Sequence, residues 1–301
     1  MDRLEAMKIL LQVARTGSFS AASRQSGIPL ATVSRKINEL EKHLGARLLT
    51  RTTRKVTLTE AGVVYVSSAK RILEEVDDAE RIVAGEHSAP RGELTLTAPM
   101  LFGRLHVLPI VVDFLAAYPE IDIRLLLSDR TLHLSEEQID MAVRIGSLPD
   151  SRMVATRVGS MRIVICAAAK LLATHGVPQS PERLGMLPCV NFEPLSPNST
   201  WPFRRKGSKE IIDVPIQPRL SVSTADAAVG AATQGAGATR VLHYQCAAGL
   251  RDRSLRTILT EYEVQPLPVH LLHAGRGALP SKMRLFLDFA TRRLREGLAA
   301  I

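Results

Sequence analysis

Val33, Ile37, Leu40 and Leu44 recur at the helical period between Pro29, suited to opening a helix, and Gly45, suited to ending one. Such a stripe must be buried. At about 100° per residue the opposite face carries Ala31, Arg35, Asn38 and Lys42, flanked by Thr32 and Ser34. Short, hydrogen-bonding and cationic groups in that pattern read base edges and grip phosphates. Upstream, Phe19 and Ala22 mark a short helix begun at Ser18 or Ser20, and Gly27 turns the chain into the next helix. Leu4, Met7, Leu11 and Ala14 supply a first helix that covers the core. Downstream, residues 47–49 and 55–58 read as two short strands around a basic tip, Arg51-Thr52-Thr53-Arg54, which can lie along phosphates or enter a minor groove. Residues 1–62 therefore read as a winged helix-turn-helix for double-stranded DNA. Ser20, Ala31, Thr32, Ser34, Arg35 and Asn38 are the expected readers, with Arg51, Arg54 and Lys55 as a clamp.

The plain alternative is a three-helix core with a solvated charged surface. Charge distribution argues for DNA: residues 1–62 hold 11 Lys and Arg against 5 Asp and Glu, residues 63–90 hold 3 against 6, and residues 91–301 hold 25 against 19. The positive charge is densest where the motif sits.

After Thr59, a suitable N-cap, the chain is free of Pro and Gly from Val63 to Ala84. Ala61, Tyr65, Ala69, Ile72, Val76, Ala79 and Val83 follow one another at spacings of four and three, a heptad-like seam that asks for a partner helix. Tyr65, Ala69, Ile72, Val76, Ala79 and Val83 are the expected dimerisation residues. Glu86 to Gly92, rich in small residues, Pro and Gly, reads as a hinge, so residues 63–91 form a linker.

The runs GSFSAAS, ATVSRKINELEKHLGARLL and RTTRKVTLTEAG resemble the DNA-binding end of LysR-type transcriptional regulators, over about the first 60 residues. The chain departs from the common family pattern at Ile28-Pro29-Leu30-Ala31-Thr32, where the reading helix begins. The resemblance implies that two linker helices pair antiparallel, giving a homodimer or homotetramer that spaces two reading helices on an operator.

From Glu93 the pattern alternates strand and helix: strands near 94–97, 121–127 and 141–145 with a helix over 104–118, then strands near 163–167, 189–192, 220–222 and 239–242 with a helix over 225–234. A strand at 269–272 and a helix at 282–295 return to the first set. This is the rhythm of an open parallel α/β sheet. The resemblance implies a type 2 periplasmic-binding-protein-like α/β effector domain over 92–301, with subdomain I at 92–162 and 268–301 and subdomain II at 163–267. Ligands of open α/β folds sit at the carboxyl ends of strands. That puts Ala98, Pro99, Met100, Leu101 and Phe102 at the mouth, where helix-start N–H groups can hold a carboxylate or another anion, with Arg144 and Gly146 on the same edge. Ser196, Thr224, Ala236 and Arg240 face them from the other side. Arg144 reads equally well as half of a structural ion pair.

Other classes fit less well. No Gly-x-Ser-x-Gly elbow, phosphate-binding glycine loop or metal-ligand spacing occurs, so no catalytic residue, metal or cofactor is expected and the chain does not read as an enzyme. Cys166, Cys189 and Cys246 stand apart and read as buried thiols. No run of about 18 uncharged apolar residues is evident, and the start of the chain is a charged amphipathic helix, so no membrane partner and a cytoplasmic location are expected. The reading is a DNA-binding regulator modulated by a small-molecule, anion-compatible effector; a ligand-independent DNA binder and a redox-responsive regulator stay open as alternatives.

Overall fold

A computed structural model of the chain describes residues 1–51, 56–83, 90–130, 139–148, 153–274 and 279–299. The head opens with α1 (Arg3–Thr16), capped by the Asp2 carboxylate, which accepts the N–H groups of Leu4 and Glu5. Ser18 caps α2 (Phe19–Ser26) in the same way, through the N–H of Ala21. After Gly27, left-handed at φ 70°, α3 (Leu30–Leu44) runs to Gly45, which takes the left-handed C-cap at φ 65°. Strands β1 (Leu49–Arg51) and β2 (Val56–Leu58) pair antiparallel.

Three expectations shift here. Val33, Ile37 and Leu40 are fully buried, but Leu44 is 37 % exposed because the last turn of α3 overhangs the core. The facing of α1 also differs: Ala6, Ile9, Leu10 and Val13 fill the head's core, while Leu4 is exposed. Strand β1 begins two residues later than expected, because the N–H groups of Leu48 and Leu49 are taken by Glu41 Oε1 at 2.7 and 3.1 Å rather than by a strand partner.

Helix α4 (Glu60–Val83) starts under Thr59, whose Oγ1 accepts the Gly62 N–H at 3.0 Å. Gly62 is required for packing: a Cβ there would overlap the Leu48 carbonyl. The apolar stripe of α4 is only partly a free seam. Ala69 is wholly buried within this one chain, clustered with Met7 and Leu73, and half-buried Tyr65 and Ile72 pack on the same cluster. Helix α1 therefore has two apolar faces, one for α3 and one for α4. Of the proposed dimer residues, Ala79 and Val83 are exposed and Val76 half-buried.

The second half opens with β3 (Gly92–Ala98) and one long helical stretch: α5 (Met100–Phe102), a five-residue π-turn (Gly103–Val107) and α6 (Leu108–Ala117). Then follow β4 (Ile121–Leu127), β5 (Met141–Ile145), β6 (Met153–Met161), β7 (Ile163–Ala168), α7 (Ala169–His175), β8 (Cys189–Phe192), β9 (Thr200–Arg204) and β10 (Ile211–Pro215). The chain ends with β11 (Pro218–Val222), α8 (Ala225–Thr233), β12 (Ala238–Leu242), α9 (His243–Arg251), β13 (Leu255–Ile258), β14 (Leu267–Ala274) and α10 (Ser281–Ala299).

Two five-stranded sheets result, ordered β4-β3-β5-β14-β6 and β11-β8-β12-β7-β13. Both are mixed, which corrects the expectation of parallel sheets: β14 runs antiparallel to β5 and β6, and β7 antiparallel to β12 and β13. Only Arg162 separates β6 in the first sheet from β7 in the second, and the chain returns between β13 and β14. Strand β7 does not pair with β6; it enters the second sheet between β12 and β13 and runs antiparallel to both. Helices α6 and α10 pack through Phe114 and Phe286 on the first sheet; Trp201 and Phe203 of the β9–β10 hairpin are core residues on the second.

Residues Met100–Ala117 are long and apolar enough to cross a membrane, with mean hydropathy 1.7, although Arg104 and Asp113 keep the run from being an uncharged one. Leu101, Phe102, Val107, Ile110, Val111 and Phe114 of this stretch nevertheless pack into the core of the first sheet. The helix begins at Met100, not at Arg104, and the π-turn breaks the regular period on which that boundary rested.

Candidate DNA-binding face and ligand cleft

The head presents one face of α3. Burying Val33, Ile37 and Leu40 leaves Ala31, Arg35 and Asn38 exposed, with Thr32 and Ser34 half-buried at the edges and Ser20 exposed on α2. Lys36, between them in sequence, is turned away and pairs with Glu5 of α1. Pro29, at the N-cap of α3, offers no side-chain cap, so the first turn keeps its positive end. Glu41 fixes the start of the wing, and the Val56 N–H donates to Gly17 O at 3.1 Å, tying its return strand to the turn before α2. The backbone of Arg51 ends β1, while Arg54 and Lys55 lie outside the described residues.

In the second half, the expected ligand cleft lies between the carboxyl ends of β3 and β5 and those of β8, β11 and β12; Tyr244, just past β12, packs against Phe102, just past β3. Strands β3 and β5 are parallel, so Ala98, Arg144 and Gly146 share one edge. Strand β8 is parallel to β11 and β12, so Ser196, Thr224 and the start of α9 share the other. Thr224 serves as the N-cap of α8, accepting from the Ala227 N–H at 3.3 Å.

Several expected ligand contacts are otherwise engaged. Ala98 and Phe102 are fully buried and Leu101 nearly so, all in the core of the first sheet, so their side chains are taken up by packing. Pro99 is the N-cap of α5, and the N–H of exposed Met100 is not free for an anion because Asp129 Oδ1 accepts it at 2.9 Å. Ala236 precedes β12 and bonds back to Ala231 O at 3.0 Å, which puts it at the opposite edge of the sheet and out of the cleft. Gly146, buried at φ 109°, donates to Pro268 O at 2.9 Å.

Arg240 is 5 % exposed, and one guanidinium nitrogen reaches Leu195 O at 3.2 Å and Ser196 Oγ at 3.1 Å. Both acceptors are neutral. Burial pulls its pKa down to about 10, against the opposing pull of Asp213, so it remains charged at neutral pH. Beside it lies a recess lined by Ile163, Ile165, Phe203, Ile258 and Tyr262. Burial also lowers the pKa of Arg144.

Three residues absent from the sequence reading complete the mouth. Tyr244, in the first turn of α9, packs edge-on against Phe102 with centroids 5.5 Å apart and against His106 at 5.6 Å. It is 5 % exposed and belongs to the core of the first sheet although its helix belongs to the second. His106 Nε2 is buried with no hydrogen-bond partner among the described residues, and burial lowers its pKa. Asp129 is the third. The strand-end rule applied to β12, as it was to β3, would have pointed to Tyr244.

The three cysteines are buried. Cys166 and Cys246 share a hydrogen bond, which together with burial pushes the Cys166 thiol up. A thiol held protonated and away from water is a weak nucleophile.

Residues 4–63 match the family model for the bacterial regulatory helix-turn-helix protein, lysR family, and residues 87–295 match that for the LysR substrate binding domain. An HTH-type transcriptional regulator of Xanthomonas campestris pv. campestris is 33 % identical over 288 residues, covering 95 % of this chain and 84 % of its own length. The regulator CrgA of Neisseria meningitidis serogroup B is 32 % identical over 297 residues, 98 % of each chain. The solved structure of CrgA, a LysR-type transcriptional regulator, superposes with a TM-score of 0.61 over 96 % of this chain and 98 % of its own, at 30 % identity. The full-length regulator LysG of Corynebacterium glutamicum with bound effector Arg shares the fold at TM-score 0.70 and 20 % identity, over 98 % of each chain.

Proposed function

The chain belongs to the LysR-type transcriptional regulators, a family of non-enzymes, and from that premise we propose that a small anionic molecule in its effector-binding domain modulates how it holds operator DNA. The observation that carries the DNA half of this reading is the division of α3 into a buried face, Val33, Ile37 and Leu40, and an exposed one, Ala31, Arg35 and Asn38. Arg35 and Asn38 are the base readers, Ala31, Thr32, Ser34 and Ser20 flank them, and Arg51, Arg54 and Lys55 add sequence-independent grip. The active form is a homodimer or homotetramer in the cytosol, in contact with DNA. Ala79 and Val83 are the part of the α4 stripe that a second copy would cover first.

Buried Arg240 supports the choice of an anion. A desolvated guanidinium bonded to two neutral oxygens is incompletely compensated, and a carboxylate arriving through the cleft supplies the missing charge. Arg144, Gly146, Ser196 and Thr224 line its approach. For the ligand to regulate, it must bind one arrangement of the subdomains more tightly than another.

The test is a shift assay on the DNA upstream of the chain's own gene, at several salt concentrations, with a panel of small carboxylic acids. Expected are binding that weakens steeply with salt and a change in footprint with at least one acid, abolished in Arg240→Met. Binding that discriminates this DNA from random DNA by less than about tenfold overturns the DNA half, since regulators discriminate by roughly 10³ or more.

A further inference from the structure

The segment joining head and sensor reads in sequence as a hinge, yet the helix before it is fastened to the sensor of its own chain. Lys70 Nζ lies 2.6 Å from Asp140 Oδ1, and Glu74 Oε1 lies 2.7 Å from Lys282 Nζ. Lys70 and Glu74 stand one turn apart on α4; their partners stand at the start of β5 and in the first turn of α10.

These pairs differ from ordinary surface pairs. The side chains of Asp140 and Lys282 are each 10 % exposed, those of Glu74 and Lys70 20 % and 29 %. Asp140 is itself immobile: Oδ2 accepts the Thr95 N–H at 2.8 Å, and its own N–H donates to Thr95 O at 2.8 Å. Lys282 sits where a cation is least welcome, buried in the first turn of a helix whose N-terminal end is already positive. Among the described residues Glu74 is its ion-pair partner, so undocking α4 would leave a desolvated charge behind.

The order of charges matters as much as the pairs. Helix α4 presents positive then negative, and subdomain I presents negative then positive. Sliding α4 by one turn, about 5.4 Å, would set Glu74 against Asp140 or Lys70 against Lys282. One seat is therefore favoured and its neighbours are penalised.

We propose that Lys70 and Glu74 form a register-fixing key that seats the linker helix on subdomain I of its own chain, so that head and subdomain I turn as one body. On this view a change in the cleft moves the head by rotating subdomain I. That consequence rests on the effector-modulated reading above; the key itself does not, and its test uses neither DNA nor effector.

Full-length protein carrying Glu74→Lys, Lys282→Glu or both is compared by amide hydrogen exchange across 60–83. Each single variant should speed exchange of the helix amides by about tenfold or more, and the exchanged double should return to within about threefold of the parent. Unchanged exchange in the singles, or a double no better than the worse single, overturns the proposal. A second variant guards against loss of folding. Glu74→Cys with Lys282→Cys is treated with a short bis-maleimide in protein assembled from ¹⁴N and ¹⁵N chains, the native cysteines being buried. Links joining peptides of one isotope support the key, and links of mixed isotope, which place the seat on a second copy, overturn it.

Discussion

The head and the cleft are built on opposite principles. In the head, the functional surface is the reverse side of a local stripe: once Val33, Ile37 and Leu40 must be buried, the angle per residue leaves Arg35 and Asn38 outside. In the cleft no stretch of chain specifies the surface. Residues as far apart as Asp129 and Met100, or Tyr244 and Phe102, meet only because strands of two sheets end at the same place. A site written along one helix is read from periodicity, whereas a site assembled by topology needs the strand order first.

Gly62→Val should separate the head from the second half most strongly. The added side chain would collide with the Leu48 carbonyl, and neither helix nor wing can move without uncoupling β1 from α4. We expect a loss of about 3 kcal/mol or more of head stability in urea unfolding, with cleft residues unaffected. Tyr244→Ala should come next, removing an aromatic ring from the core of the first sheet at a cost of about 3 kcal/mol. Tyr244→Phe should keep most of that stability, because packing rather than the hydroxyl joins the two subdomains. If both lose the same amount, the hydroxyl is the fastening.

Arg35→Ala should leave thermal stability alone, since the residue is exposed, and weaken operator binding by about 1–3 kcal/mol while relaxing preference at one base pair. Intact affinity and preference would mean that α3 docks on another face. The smallest effect is a pH dependence of the sensor. Burial holds the pKa values of His106, His243 and His270 below the ordinary 6.5, so the unfolded chain binds protons more readily than the folded one. Their contribution to stability is complete above about pH 6.5 and is lost as pH falls through and below that value. Unfolding midpoints measured at pH 8 and pH 5.5 should separate, and His106→Phe should narrow the gap.

Much of the secondary structure was legible because its signals are local. Strands β4, β5 and β8 start and end where the apolar runs do, and Ser18, Gly27 and Gly45 punctuate the head as their chemistry demands. Strand β6 was missed because Thr156, Arg157, Gly159 and Ser160 dilute its pattern; it lies at a sheet edge, with a bulge in its pairing to β14. The hairpin β9–β10 hid behind Pro202 and a polar turn. The α4 stripe was read as wholly intermolecular because Met7 and Leu11 of α1 were assigned to the head's core, a place that Ala6, Ile9, Leu10 and Val13 take. Asp129 could not have been found at all without knowing that β4 ends beside β3.

The π-turn at Gly103–Val107 rephases the helix that it interrupts. A single wide turn takes up one residue more than the regular period. Everything before it keeps the old register and everything after it is rotated by about 100°. Phe102 and Phe114 can therefore both point into one core although no uniform helix would align them so, and His106, inside the wide turn, is brought against Tyr244. Deleting one residue from this stretch should restore a regular helix that still folds onto its sheet but no longer carries that side chain to the rim. The number of residues at this position, rather than their composition alone, therefore sets whether a side chain meets Tyr244.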